Sequence, residues 1–184
     1  MNEKANVTAV LVAEHQLILR LIALVEANTA AMEAGRFRDW QFFLDAVEFI
    51  RNFADRFHHA KEEDVLFREL VAGGMPQQNS PVAAMLMAHD QGREFVRGLE
   101  TAAQQALAGE AGQVPAIAAN AKGYAALLRD HIDKEDHILY PLAERILPAA
   151  VRPKMLADYA AAAAPGLEEK YRQLVERYEA RVAA

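Results

Sequence analysis

The side chains best suited to chemistry in this sequence are imidazoles and carboxylates, and they recur at fixed spacing. The six histidines are His15, His58, His59, His89, His131 and His137. Four of them form two matching halves: His58 follows His15 by 43 residues, and His131 follows His89 by 42. The text around the later histidine of each half repeats as well, with His58-His-Ala-Lys-Glu-Glu-Asp-Val-Leu-Phe67 beside His131-Ile-Asp-Lys-Glu-Asp-His-Ile-Leu-Tyr140. In both, His-x-x-x-Glu is followed by an acidic residue and then by an apolar–Leu–aromatic run. At about 100° per residue of an α-helix, His and Glu four apart lie one turn apart on one face.

Those faces are apolar. His58 and Glu62 share theirs with Leu44, Val47, Ala54 and Val65, and His131 and Glu135 share theirs with Ile117, Tyr124, Leu127, Ile138 and Leu142. His15 lies with Leu11, Leu19 and Ile22, and His89 with Val82, Met85 and Val96. Turning four imidazoles and two carboxylates into an apolar interior costs several kcal/mol per uncompensated charge. A pair of metal ions bound by neutral imidazole and ionised carboxylate removes that cost. The expected ligands are therefore His15, His58, Glu62, His89, His131 and Glu135, with the glutamates as bridges and two histidines on each metal. Nitrogen and oxygen donors without sulfur suit iron, manganese or zinc better than copper(I). A bridging oxygen from solvent would leave about one exchangeable position per metal, open to a small molecule.

Such a site needs four long helices to carry it, and the chain supplies them. Thr8 to Met32 reads as a first helix ending at Gly35, and Asp39 caps a second running from Trp40 to Val71. Ser80-Pro81 starts a third that reaches Ala108, and a fourth spans Pro115 to Ile146. Pro148 and Pro153 interrupt the pattern; short helices over Lys154–Ala163 and Leu167–Val182 follow, and no segment reads as a strand. The expected fold class is all-α: an up-down-up-down four-helix bundle over 1–147 with a two-helix C-terminal extension over 148–184. The extension is expected to dock on the bundle or on a second copy of the chain, as a homodimer.

Composition narrows the function classes. A formal charge of −6 disfavours a nucleic-acid partner, because phosphates would be repelled. No run of about 18 apolar residues predicts a membrane span. The absence of cysteine excludes disulfides, thiolate ligands and iron–sulfur clusters. The start, Met1-Asn2-Glu3-Lys4, lacks the pattern of a secretory signal, so the cytoplasm is the expected location.

His15, the pair His58/Glu62, His89 and the pair His131/Glu135 resemble the hemerythrin HHE family of cation-binding helical bundles over about Val7 to Leu147. The flanking Glu62-Glu-Asp-Val-Leu-Phe67 and Glu135-Asp-His-Ile-Leu-Tyr-Pro141 look like that family's text too. The resemblance implies a non-haem di-iron centre, with an oxo or hydroxo bridge, that binds dioxygen or reacts with nitric oxide or peroxide. Members that carry oxygen have a further histidine one turn after the third-helix histidine, where this chain has Arg93. The four-histidine, two-glutamate set looks more like the bacterial members linked to oxidative and nitrosative stress. Asp136 falls where an oxygen carrier places its aspartate, whereas the internal repeat favours Glu135.

Around this set, His59 is read as lying beside the ligands or on the surface, with ligation as the lesser alternative, and His137 as an outer-face structural residue. Glu63 and Asp64 are read as a solvated face. Arg93 either steadies a bridging carboxylate, gates the site or reaches past the core to solvent. Tyr124 either donates a hydrogen bond near the metals or fills the core. Carrier, sensor, scavenger and peroxidase would share these ligands, so turnover stays open, as does the redox partner. The competing function is an iron-handling or iron-sensing interaction protein whose metal state alters the tail or a dimer surface.

Overall fold

A computed structural model describes residues 5–182. Four helices form a bundle: α1 (Ala9–Glu33), α2 (40–72), α3 (Pro81–Leu107) and α4 (114–146). Two shorter helices follow, α5 (Arg152–Ala161) and α6 (Leu167–Val182). The described residues contain no strand, and no helix among them is long and apolar enough to cross a membrane.

Local chemistry sets the ends of these helices. The Asp39 carboxylate accepts from the Phe42 amide at 3.3 Å, and the Ser80 hydroxyl accepts from the Ala83 amide at 3.2 Å. Gly35, at φ 74°, takes the left-handed turn after α1, and the Arg36 amide closes back on the Ala31 carbonyl at 2.8 Å. The start of α1 is held locally by Asn6, whose side-chain oxygen accepts from the Ala9 amide at 2.9 Å, and also from a distance. Glu144 near the end of α4 accepts from the amides of Val7 (2.7 Å) and Thr8 (3.0 Å). Arg152, itself buried, donates to the Ala5 carbonyl at 2.6 Å and pairs with Glu144, tying the first and last turns of the bundle to α5.

The long helices α2 and α4 are not regular. In α2 the backbone widens to i→i+5 hydrogen bonding over Ile50–His59 and again over Glu62–Leu66, and α4 does so over Glu135–Leu139. The Phe67 amide reaches the Glu62 carbonyl, and the Tyr140 amide reaches the Glu135 carbonyl. Each widened turn absorbs one extra residue, so the buried positions beyond it slip by one. Leu139 and Ala143 are buried, while Ile138, expected to face inward, is 59% exposed. Leu66 and Leu70 are likewise buried, and Val65, also expected inward, is half-buried. A constant 100° step cannot anticipate that slip.

The core divides in two. A large apolar cluster contains Ile18, Leu21, Phe53, Val96 and Leu128, and α6 joins it through Tyr171, Val175 and Tyr178. Tyr178 packs edge-on against Phe42 and Tyr171 against Phe49, while Glu179 forms a two-pronged pair with Arg20 of α1 at 2.7 and 3.0 Å. A smaller cluster at the other end contains Leu11, Leu66, Met85, Leu139 and Tyr159. The layer between them is polar.

Candidate metal centre

That layer holds His15, His58, Glu62, His89, His131 and Glu135, each at most 2% exposed. The structure brings all six together. His15 and His58 face each other with Nε2 atoms 2.9 Å apart, and His89 and His131 do so at 3.1 Å. Glu135 Oε2 lies 3.4 Å from His15 Nε2 and 3.2 Å from His131 Nε2. Glu62 Oε2 lies 3.7 Å from His58 Nε2 and 3.5 Å from His89 Nε2. Each glutamate therefore spans both imidazole pairs.

The outward nitrogens decide what the inward ones offer. Nδ1 of His15 meets Asp136 at 2.8 Å, Nδ1 of His58 meets Glu14 at 2.9 Å, and Nδ1 of His89 meets Glu63 at 2.7 Å. A carboxylate accepts only, so these contacts assign the proton to Nδ1 and leave the Nε2 lone pair turned inward. Lone pairs converging at about 3 Å repel unless something positive lies between them. Two nitrogens bound at right angles to one ion at about 2.1 Å stand about 3.0 Å apart, the separation found in both pairs. In addition, Glu62 Oε2 and both oxygens of Glu135 are buried without a hydrogen-bond partner. Orphaned carboxylate oxygens facing converging imidazoles are a donor set that fits two cations.

The electrostatics divide side chains of this centre into groups ready to bind a cation and groups that must first give up a proton. Burial pushes His131 down to about 2, helped by the neighbouring His89, so it stays neutral. Burial also lowers His15, against the pull of Asp136. In His89 burial is outweighed by Glu62 and Glu63, and its value rises. Burial works on both glutamates, but the surrounding imidazoles hold Glu62 ionised, whereas that neighbouring charge adds to burial in Glu135 and keeps it protonated.

The repeat now acquires a geometric meaning. The acidic residue after each glutamate, Glu63 or Asp136, backs the single histidine of a neighbouring helix, His89 or His15. The aromatic that ends each repeat covers that same ring: Phe67 stacks on His89 at 6.0 Å and Tyr140 on His15 at 5.6 Å. Tyr140 also donates to Glu62 Oε1 at 2.5 Å. Glu63 is thus a partner of His89, not a solvated residue, and Asp136 stands behind His15 outside the inner cluster. The repeated acid and aromatic were the sequence signals for these roles. Glu14 had no such signal; it joins His58 to the buried Lys61, and only the packing of α1 on α2 reveals it.

The remaining candidates also find places. Arg93 donates to Asp55 (2.7 Å), Glu63 (2.8 Å) and Asp90 (2.9 Å), so it braces carboxylates behind the histidines and touches neither Glu62 nor Glu135. His59 is buried, with its ring flat on His89, because the widened turn carries it inward. His137 is exposed and pairs with Asp133. Tyr124 is buried with its hydroxyl unpartnered, and burial raises its value. A cavity of about 340 Å³, lined by Tyr124, Arg93, Val96, His59, His89 and His131, reaches the His89/His131 pair; His15 and His58 do not line it.

A comparison with known protein families matches residues 6–143 to the hemerythrin HHE cation binding domain. No curated protein and no solved structure matches the chain.

Proposed function

Because the chain belongs to the hemerythrin HHE cation-binding family, we propose that it holds two iron ions and binds or reacts with dioxygen, nitric oxide or peroxide, in defence against oxidative or nitrosative stress. His15 and His58 would hold one ion, His89 and His131 the other, and Glu62 and Glu135 would bridge them. The observation that carries this reading is the convergence of inward lone pairs, fixed by the carboxylates behind them, upon orphaned glutamate oxygens. Iron there would supply redox and Lewis-acid chemistry toward a small molecule.

The chain's own residues would set the rest. Tyr140 orients Glu62, Asp136, Glu14 and Glu63 hold three rings in register, and two apolar clusters exclude bulk water from above and below. The cavity beside His89 and His131 supports entry of the small molecule on that side. The test is metal analysis of anaerobically purified protein, with optical spectra before and after oxygen, nitric oxide and peroxide. Two irons per chain and new charge-transfer bands are expected. Glu62→Ala and Glu135→Ala should each sharply lower occupancy, and His137→Ala should not. Iron-free protein, or full occupancy in both glutamate variants, would sink the proposal.

The alternative is an iron-handling or iron-sensing role without turnover; the buried glutamate oxygens lack partners among the protein's own groups, so stability should follow metal loading in either case. A reversible change in oligomer size on chelation, with no spectral response to the three small molecules, would select it.

A further inference from the structure

The two halves of the centre are related by the repeat, and the relation breaks at two places. The first is the residue before each single histidine: Glu14 before His15, but Ala88 before His89. Glu14 backs His58, so its counterpart would back His131, and His131 Nδ1 is indeed buried without a partner. The second is the residue after each paired histidine: His59 in α2, but Ile132 in α4. Both departures alter the same half, the one formed by His89 and His131.

His59 lies among the donor atoms of that half. It is 7% exposed, its ring lies on His89 with centroids 3.7 Å apart and 12° between planes, and its edge faces His131 at 5.7 Å. Ligand atoms of His59, Glu62, His89 and His131 all lie within 4.8 Å of one another. Behind it stands a carboxylate, as behind His15, His58 and His89: Asp55 Oδ1 is 3.4 Å from His59 Nδ1. Asp55 is in turn gripped by Arg93, whose guanidinium also holds Glu63 behind His89. One arginine from α3 therefore braces the carboxylates behind two stacked rings. Ile132 shows that an apolar side chain serves at the equivalent place in α4, so packing alone does not call for an imidazole here.

We infer that His59 is a third imidazole ligand to the ion held by His89 and His131, so that the two metal positions are chemically unequal. This rests on the two-metal reading above. The His15/His58 position has two imidazoles and does not line the cavity, whereas the other has three and does. A molecule entering by the cavity meets His59 beside the ion.

The experiment compares wild-type protein with His59→Phe, which keeps an aromatic ring against His89 but has no lone pair. Affinities for cobalt(II) are measured by chelator competition, and proton spectra of the cobalt-loaded protein count the exchangeable, metal-shifted imidazole N–H signals. The variant is expected to retain one ion at near wild-type affinity, bind the second more than about tenfold more weakly, and lose an N–H signal. Should His59→Phe fail to fold by circular dichroism, His59→Leu carries the same measurements. Two ions bound with unchanged affinities and an unchanged set of N–H signals would overturn the assignment while leaving the two-metal reading intact. A wild-type chain that takes up no pair of ions would overturn both.

Discussion

Glu14 joins two demands that a pair of substitutions can separate. Its carboxylate bridges His58 Nδ1 and the Lys61 ammonium, and all three groups are buried. Glu14→Gln removes the charge that compensates Lys61. Breaking a buried ion pair from one side costs about 3–5 kcal/mol. Lys61 keeps one favourable contact, with its ammonium 3.5 Å from the centre of the Phe57 ring, worth up to about 2 kcal/mol when desolvated. That contact is present in wild type as well and does not offset the loss, so the expectation stays at about 3–5 kcal/mol, against a domain stability of roughly 5–15 kcal/mol. Adding Lys61→Met removes the stranded charge and should restore stability to within about 1 kcal/mol of wild type. Metal binding should not recover, because the ring of His58 still lacks its carboxylate; a loss of about 10–100-fold in affinity is expected in both variants. Urea unfolding of metal-free protein reads the first quantity, and iron(II) or cobalt(II) competition against a chelator reads the second. If the double variant binds metal as wild type does, Glu14 does not act through His58. If Glu14→Gln is as stable as wild type, the Lys61 pair contributes nothing to the fold.

The slip caused by the widened turn in α4 predicts that Leu139→Ala costs about 2–5 kcal/mol in urea unfolding, whereas Ile138→Ala, at a largely exposed site, stays within about 0.5 kcal/mol; the reverse order would mean that α4 runs on as a regular helix. Metal affinity should fall with acidification by about tenfold per pH unit for each proton displaced. The raised His89 and Glu135 bear those protons, so calorimetry at pH 6 in buffers of different ionisation heat should show at least one proton released on metal binding. Zero release would contradict both assignments. In Glu144, burial is outweighed by Arg152 and the amides of Val7 and Thr8, which hold the carboxyl below its ordinary value of 4.5. Its stabilising effect is therefore present above pH 4.5 and lost as the pH falls through the lowered value, so the gap in urea midpoint between wild type and Glu144→Gln should close on acidification. A gap independent of pH would refute the ionic cap.

Much of the site was legible because its elements are helices and their regular stretches obey a known period. The pairs His58/Glu62 and His131/Glu135 sit within single helices, and their shared face follows from spacing alone. The single histidines His15 and His89 follow from the repeat. The helix ends at Asp39, Ser80 and Gly35 were visible too, since capping is a local property of residue type.

Contacts between helices were not visible in that way. Which carboxylate stands behind which ring depends on how α1, α2, α3 and α4 face one another, so Glu14 behind His58 and Asp55 behind His59 have no signature in the spacing. Glu63 and Asp136 lay half in view: the repeat marked the positions, but a fixed 100° step turned Glu63 toward solvent. The step fails because the backbone widens at Glu62 and Glu135, where interior packing against two separate apolar clusters offsets the poorer turn. Residue order and chemistry alone determined the helices, the repeat and the donor types. Tertiary packing alone decided the register beyond the glutamates, the carboxylates behind the imidazoles and the inward place of His59, because those depend on distances between chain segments that no local period encodes.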